Sequence, residues 1–317
     1  MKECALCNNR LEVKFDGLFD DRYAYPGKYT MLKCGGCDHF VLDAGFTPQM
    51  LQELYSKYYP RKNLDISNWQ PHKETAGWLA WLNGDRSSVY RWVPPRVRIL
   101  DIGCGFGETL GYHQERGCEV YGVEADDNIK RVVQQYGFNV QVGLFDANLY
   151  EPEYFDYVTM DQVIEHISDP LNALKGVARI LKPGGVAILS TPNADGWGLK
   201  VFGRKWEHWH IPYHLQIFSK RSMEKYARLA GLQLEQTVTL TNSRWLYFQW
   251  LHLAAYPRQG QPSVFWSLNG EATFRHKVAF KLITYLHKLR VNHLITRFFD
   301  WLGVGDNCIY VLRKQRS

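Results

Sequence analysis

No stretch of the 317-residue chain approaches the ~20 consecutive apolar residues of a membrane-spanning helix. Its longest apolar candidate, "WLYFQWLHLAAY" from Trp245, is interrupted by Gln249 and His252. The opening "MKECALC" lacks the apolar segment of a secretory leader, so a cytoplasmic, reducing location is expected. Seven cysteines suit that location provided they are not paired as disulfides. Internal repeats and low-complexity tracts are missing, which excludes solenoid and linker-like architectures. Acidic residues are scarce in one place: residues 272–303 hold Arg275, Lys277, Lys281, Lys288, Arg290 and Arg297 against Asp300 alone. That segment sums to +5 of a net +6, so the basic character is local. It gives nucleic acid no continuous track, and nucleic-acid binding is not expected.

What is present begins with cysteine spacing. Cys4, Cys7, Cys34 and Cys37 form two C-x2-C pairs separated by 26 residues among short β-like pieces. Two thiolate knuckles offer tetrahedral Zn²⁺ four soft ligands and leave no open position, so a structural zinc ribbon is expected over residues 1–45. A helical linker is expected over 46–94, ending at Pro94 and Pro95.

From residue 95 strands and helices alternate, which predicts a doubly wound α/β core with a parallel sheet over 95–242. "NCIYVLRK" within 304–317 reads as the final strand of that core. The sixty residues before it are too many for a plain loop, so 243–303 is expected to be a helical insertion.

"RILDIGCGFGETL" runs from a buried strand into a glycine turn and then a helix. A dinucleotide fingerprint requires glycine at 108, and Glu108 stands there. Glu124 ends the next strand, 21 residues after Gly103, where an acid accepts hydrogen bonds from ribose hydroxyls. Asp146 suits an adenine amine with Phe145 packed on the ring, and "MDQVIEH" follows the fourth strand into the crevice where open sheets bind ligands. The set describes an adenosine ligand without a pyrophosphate.

"LDIGCGFGETL", "YGVEADD", "FDYVTMDQVIEHISDPLNALKGVARILKPGGVAILSTPN" and "HLQIFSKRSMEKYARLAG" together resemble a class I S-adenosylmethionine-dependent methyltransferase, with a Rossmann-like sheet, over most of residues 97–242. "CALC", "CGGC" and "LYSKYYP" resemble bacterial members that carry an amino-terminal zinc module. The resemblance implies that Asp101, Gly103, Gly105 and Gly107 cradle the amino-acid part of S-adenosylmethionine. It also implies Glu124 on the ribose, Phe145 and Asp146 on the adenine, and Asp161 with Gln162 on the methionine side.

A hydroxyl acceptor needs a base near the crevice. His166 in "IEHISDP" is one candidate, and "EHWHIPYHLQIF" adds Glu207, His208, His210 and His214. His214 aligns with the family's H-L-x-x-F-S element and is the preferred base. Some similar quinone O-methyltransferases bind a divalent metal through Glu-x-x-Glu-His; here Gln162 replaces the first carboxylate, so Mg²⁺ dependence is not expected.

The expected acceptor is a small or lipid-linked molecule, sugar-like or quinone-like. RNA methylation, sugar C-methylation and non-catalytic cofactor binding are the competing readings. In 272–303, Phe274, Val278, Leu282, Leu286 and Leu289 recur at helical spacing beside the basic residues. The segment reads either as a peripheral membrane contact or as a lid or homodimer contact.

Overall fold

The computed structural model describes residues 2–47, 50, 53–58, 66–267 and 270–316. Much of "TPQMLQELYSKYYP", expected as linker helix, lies outside the described residues.

Three strands open the chain: β1 (Leu11–Leu18), β2 (Tyr29–Cys34) and β3 (Phe40–Asp43). The linker contributes α1 (Gly77–Asn83), a seven-residue helix that Gly84 stops at φ 75°. The core then runs β4 (Arg98–Ile102), α2 (Glu108–Glu115), β5 (Glu119–Glu124), α3 (Ile129–Tyr136), β6 (Asn139–Val142) and β7 (Phe155–Asp161). It continues through α4 (Pro170–Ile180), β8 (Leu181–Pro192), α5 (Trp197–Phe202), β9 (Gln216–Ile217), α6 (Lys220–Leu229) and β10 (Leu232–Thr239). Helices α7 (Ser243–Ala254), α8 (Phe274–Lys288) and α9 (Val291–Trp301) precede β11 (Asn307–Lys314).

The main sheet has the order β10-β11-β8-β7-β4-β5-β6, with β11 alone reversed between β8 and β10. This is the expected α/β architecture, and the last strand of the chain lies inside the sheet. Its central strands β4, β7 and β8 are largely buried on both faces because helices cover both. On one face Leu100, Val158 and Met160 pack with Leu174 and Val177 of α4 and Met223 of α6. On the other, Leu110, Ile129, Val132 and Phe138 form the core under α2 and α3.

Local chemistry fixes the helix starts. Asp169 caps α4 by accepting from Asn172 N at 3.0 Å, with Pro170 at the first position where its missing N–H costs nothing. Ser219 and Ser222 form a reciprocal cap on α6. The sequence of the insertion suggests one long amphipathic run; Arg290, at φ 65°, breaks it into α8 and α9.

The small sheet has the order β1-β2-β3-β9, so its fourth strand comes from the far side of the core. Phe40 pairs with Ile217 and Val41 with Gln216. His39 Nε2 lies 2.7 Å from Gln216 Oε1, and the Ser219 hydroxyl donates to Cys37 O at 2.7 Å. Trp206 and Trp209 are fully buried in the cluster between this sheet and the core, with Met31, Phe40 and Leu42. The loop that carries the histidines is thereby clamped by two large aromatic anchors.

Candidate functional site

The turn after β4 is built from three glycines at positive φ: 78° at Gly103, 58° at Gly105 and 80° at Gly107. They do different work. A Cβ on Gly103 would lie 2.4 Å from Val163 Cγ2, so this position permits close packing. Gly107 is the N-cap of α2, and a Cβ there would meet only ordinary contacts, so the positive φ is its requirement. Gly105 alone would project a Cβ into open space, and that bare backbone is the cradle a ligand can approach.

Glu124 ends β5 beside this cradle. Its carboxylate accepts Gly105 N at 2.9 Å and Asp126 N at 2.8 Å, and burial raises its pKa against these bonds. Asp101 sits beneath the turn, its carboxylate oxygens taken by the hydroxyls of Thr109 and of Thr159, the latter at 2.7 Å. Burial lifts the Asp101 carboxyl to about 6, against the pull of those hydroxyls. It buttresses the turn from below. Asp146 is exposed and caps a short turn by accepting from Asn148 N at 2.9 Å, while half-buried Phe145, like Ala147, packs against the apolar core.

One support was not expected from the sequence. Trp69 donates from its indole N–H to Phe106 O at 2.8 Å and packs on Tyr136 with ring centroids 4.1 Å apart and planes tilted by 34°. His72 N bonds Glu108 O at 3.1 Å, so residues 69–72 lie as a strap over the turn and α2. The signal available was a tryptophan between two polar stretches, with no periodicity to place it.

Asp161 and Gln162 follow β7. Asp161 accepts from the Ser190 hydroxyl, and burial raises its pKa. Gln162, held at φ 55°, donates to Ser190 Oγ at 3.0 Å and to Asn307 Oδ1 at 2.8 Å. Both line a pocket of about 260 Å³ walled by Ser88, Arg244, Trp245 and Phe248. The last three come from α7, the first helix of the insertion expected over 243–303, which the sequence did not place beside the ligand crevice. Its aromatic density was the signal.

The histidines form a cluster of their own, and one of them reaches this pocket's wall. His214 donates from Nδ1–H to His208 O at 2.7 Å, and His166 from Nδ1–H to Tyr213 O at 3.0 Å, because a carbonyl can only accept. Each ring therefore presents Nε2 as an acceptor. Ring centroids are 4.7 Å apart for His166 and His214 and 4.9 Å for His210 and His214. His208 reaches the pocket wall, 5.1 Å from Trp245. Burial holds His166 at about 4 and His210 and His214 well below the ordinary range, with the neighbouring imidazoles and Arg22 adding to it. All three are neutral at pH 7.

Glu165, whose carboxyl burial raises to about 8, accepts from Thr191 Oγ1 at 3.0 Å. Ligand-capable atoms of Glu165, His166 and His214 lie within 4.8 Å of one another. Gln162 commits its amide to Ser190 and Asn307. Cys4, Cys7, Cys34 and Cys37 form the other such cluster among the described residues. Sulfurs of Cys4 and Cys37 are 3.7 Å apart and those of Cys7 and Cys34 3.4 Å, near the ~3.8 Å edge of a zinc tetrahedron.

A family model for a methyltransferase domain matches residues 50–237. The ubiquinone biosynthesis O-methyltransferase of Thiobacillus denitrificans is 30% identical over 169 residues, 48% of this chain and 73% of that protein. Its counterpart in Pseudomonas entomophila is 28% identical over 168 residues, covering 47% and 72%. A SAM-dependent methyltransferase structure from Archaeoglobus fulgidus matches 73% of this chain and 92% of its own, with 18% identity and a TM-score of 0.45.

Proposed function

The chain belongs to the methyltransferase domain family and is an S-adenosylmethionine-dependent enzyme, and from that premise we propose that it methylates an oxygen of a small or lipid-linked, sugar-like or quinone-like acceptor. The observation that carries the reading is the pocket beside Asp161 and Gln162, walled by Trp245 and Phe248 and rimmed by Arg244. Aromatic walls with a few convergent polar groups suit a small cyclic acceptor. The similarity to ubiquinone biosynthesis O-methyltransferases over about half the chain supports oxygen as the atom methylated.

When bound, S-adenosylmethionine supplies a methyl group already activated on a sulfonium. The protein's tasks are then alignment and proton removal. Gly105 offers backbone without a side chain, and Glu124 offers a fixed carboxylate to the ribose. Phe145 and Asp146 stand for the adenine, and Asp161 and Gln162 for the methionine side. His214 takes the acceptor's proton at Nε2, its tautomer set by the bond to His208 O, while His166 and His210 pack around it. The four cysteines hold structural Zn²⁺.

The experiment is transfer from methyl-labelled S-adenosylmethionine into cell extract separated into lipid, small-molecule and RNA pools. Label is expected in the lipid or small-molecule pool. Label confined to RNA overturns the acceptor class, and no donor uptake by calorimetry overturns the enzyme reading.

A further inference from the structure

Among the described residues 17 large hydrophobic side chains are exposed, and nine of them fall within residues 274–302. More than half of these side chains are therefore concentrated in one short segment, a density that scattered surface residues do not produce. On α8 and the residue that caps its C-terminus, the exposed Phe274, Val278, Leu282, Tyr285 and Leu289 follow one another at three- and four-residue steps, forming a single stripe. Lys277, Lys281 and Lys288 repeat the same spacing one position earlier and run beside it, with Arg275 on the opposite flank. A groove of about 610 Å³ lies along this side of α8, lined by Phe274, Val278, Tyr285 and the three lysines.

The inward side of these helices is already satisfied. Tyr247 of α7 stacks on His287 at 4.5 Å and its hydroxyl lies 3.2 Å from Thr284 Oγ1. On α9, Asn292 donates to Ser243 O at 2.7 Å and Arg297 to Trp81 O at 3.2 Å, while Leu294, Phe298 and Trp301 face solvent. The one carboxylate of the segment, Asp300, is buried against Arg297 at 2.7 Å. The exposed side of α8 and α9 thus carries apolar groups and cations only.

We propose that α8 and α9 dock on an anionic lipid bilayer, with the apolar stripes entering the headgroup boundary and Lys277, Lys281 and Lys288 set against lipid phosphates. A lysine row alongside an apolar row lets each ammonium reach the phosphate plane while its stem lies on the apolar layer. Tyr285 and Trp301 are the aromatic types that settle at that boundary. No described helix is long and apolar enough to cross a membrane, so contact is with one leaflet. The proposal rests on the lipid-linked form of the acceptor reading, because α7 both walls the pocket and packs on α8.

The test is sedimentation of the full chain with phosphatidylcholine vesicles, with and without phosphatidylglycerol. Binding is expected only with phosphatidylglycerol, weakening as salt rises. The triple variant Lys277→Gln, Lys281→Gln, Lys288→Gln should bind about 100-fold more weakly, equivalent to about 3 kcal/mol at about 1 kcal/mol per lysine. Phe274→Ser with Trp301→Ser should also weaken binding while circular dichroism stays that of the parent. Equal binding to both vesicle types, indifference to the triple substitution, or a dimer formed through this face without vesicle binding overturns the proposal. Sedimentation needs no turnover, so the two readings fail separately. Vesicle binding without methyl transfer to lipid removes the lipid-linked form of the acceptor reading; transfer to a soluble acceptor without vesicle binding removes only this one.

Discussion

The Glu124 carboxylate accepts the backbone N–H of Gly105 at 2.9 Å, joining the acid that ends β5 to the bare turn that follows β4. The cradle and its carboxylate therefore hold one geometry together. Glu124→Ala removes both the anchor of the turn and the acceptor offered to the ribose. A lost hydrogen bond to a charged group is worth about 1.5–3 kcal/mol, so S-adenosylmethionine affinity should fall about 10- to 100-fold by calorimetry. Unchanged affinity would separate Glu124 from donor binding.

The glycines should separate fold from ligand. Gly103→Ala forces a Cβ against Val163 Cγ2 at 2.4 Å as well as an unfavourable φ, and should lower the thermal midpoint markedly. Gly105→Ala meets nothing within 4 Å, leaving only the left-handed penalty of about 1–2 kcal/mol. Its main effect should be on donor affinity, since the new methyl occupies the cradle. Differential scanning and calorimetry on both variants check this; equal loss of stability would mean that Gly105 also serves packing.

The glycine turn and Glu124 were legible in the sequence because positive φ demands glycine and the strand–helix spacing fixes where the acid falls. The parallel core was legible for a similar reason: its buried strands are short apolar runs between helices of regular period. The pairing of β3 with β9 was not. Gln216–Ile217 is a two-residue strand whose partners, Val41 and Phe40, lie far earlier in the chain, and no local pattern encodes that register. Trp69 and the α7 pocket wall escaped for the same reason, because each is defined by what it meets across the fold. The break at Arg290 was hidden by a hydrophobic period that runs through it.

Metal content tests the ribbon. One zinc per chain is expected, and Cys34→Ser should lower both zinc content and the thermal midpoint. The Ser219 bond to Cys37 O and the β3–β9 pair tie this sheet to the histidine loop, so loss of zinc should also depress turnover. Protein that purifies without metal and melts unchanged after chelation would refute a structural zinc.

His113 predicts an acid-sensitive term. It is fully buried on α2, neither ring nitrogen has a hydrogen-bond partner, and Tyr90 and Tyr112 pack against it. Burial first, and the Arg116 charge second, hold its pKa at about 4, against 6.5 when unfolded. As pH falls from 6.5 to 4 the unfolded chain takes up a proton that the folded chain refuses, so this contribution is present above 6.5 and lost through 4. His113→Phe removes the term. The variant's melting temperature should exceed the parent's by a margin that widens from pH 6.5 to 4; a constant margin would show that His113 does not stay neutral in the fold.

His214 offers the sharpest test of the chemistry. Its Nδ1–H is committed to His208 O at 2.7 Å, so Nε2 is the atom available to accept a proton. The donor cradle at Gly105 and Glu124 is built from other elements, so His214→Ala should leave S-adenosylmethionine affinity unchanged. General-base loss typically costs 10²–10⁴-fold, and kcat should fall about that far. Truncating a buried ring also leaves a void, which is why the second variant matters. His214→Gln can donate its amide to His208 O and fill much of the space, yet it cannot take a proton. A base predicts that the glutamine variant folds like the parent and stays inactive. Restored turnover in that variant would make the ring a positioning residue and pass the role to His166, whose Nδ1–H is fixed in the same way by Tyr213 O at 3.0 Å.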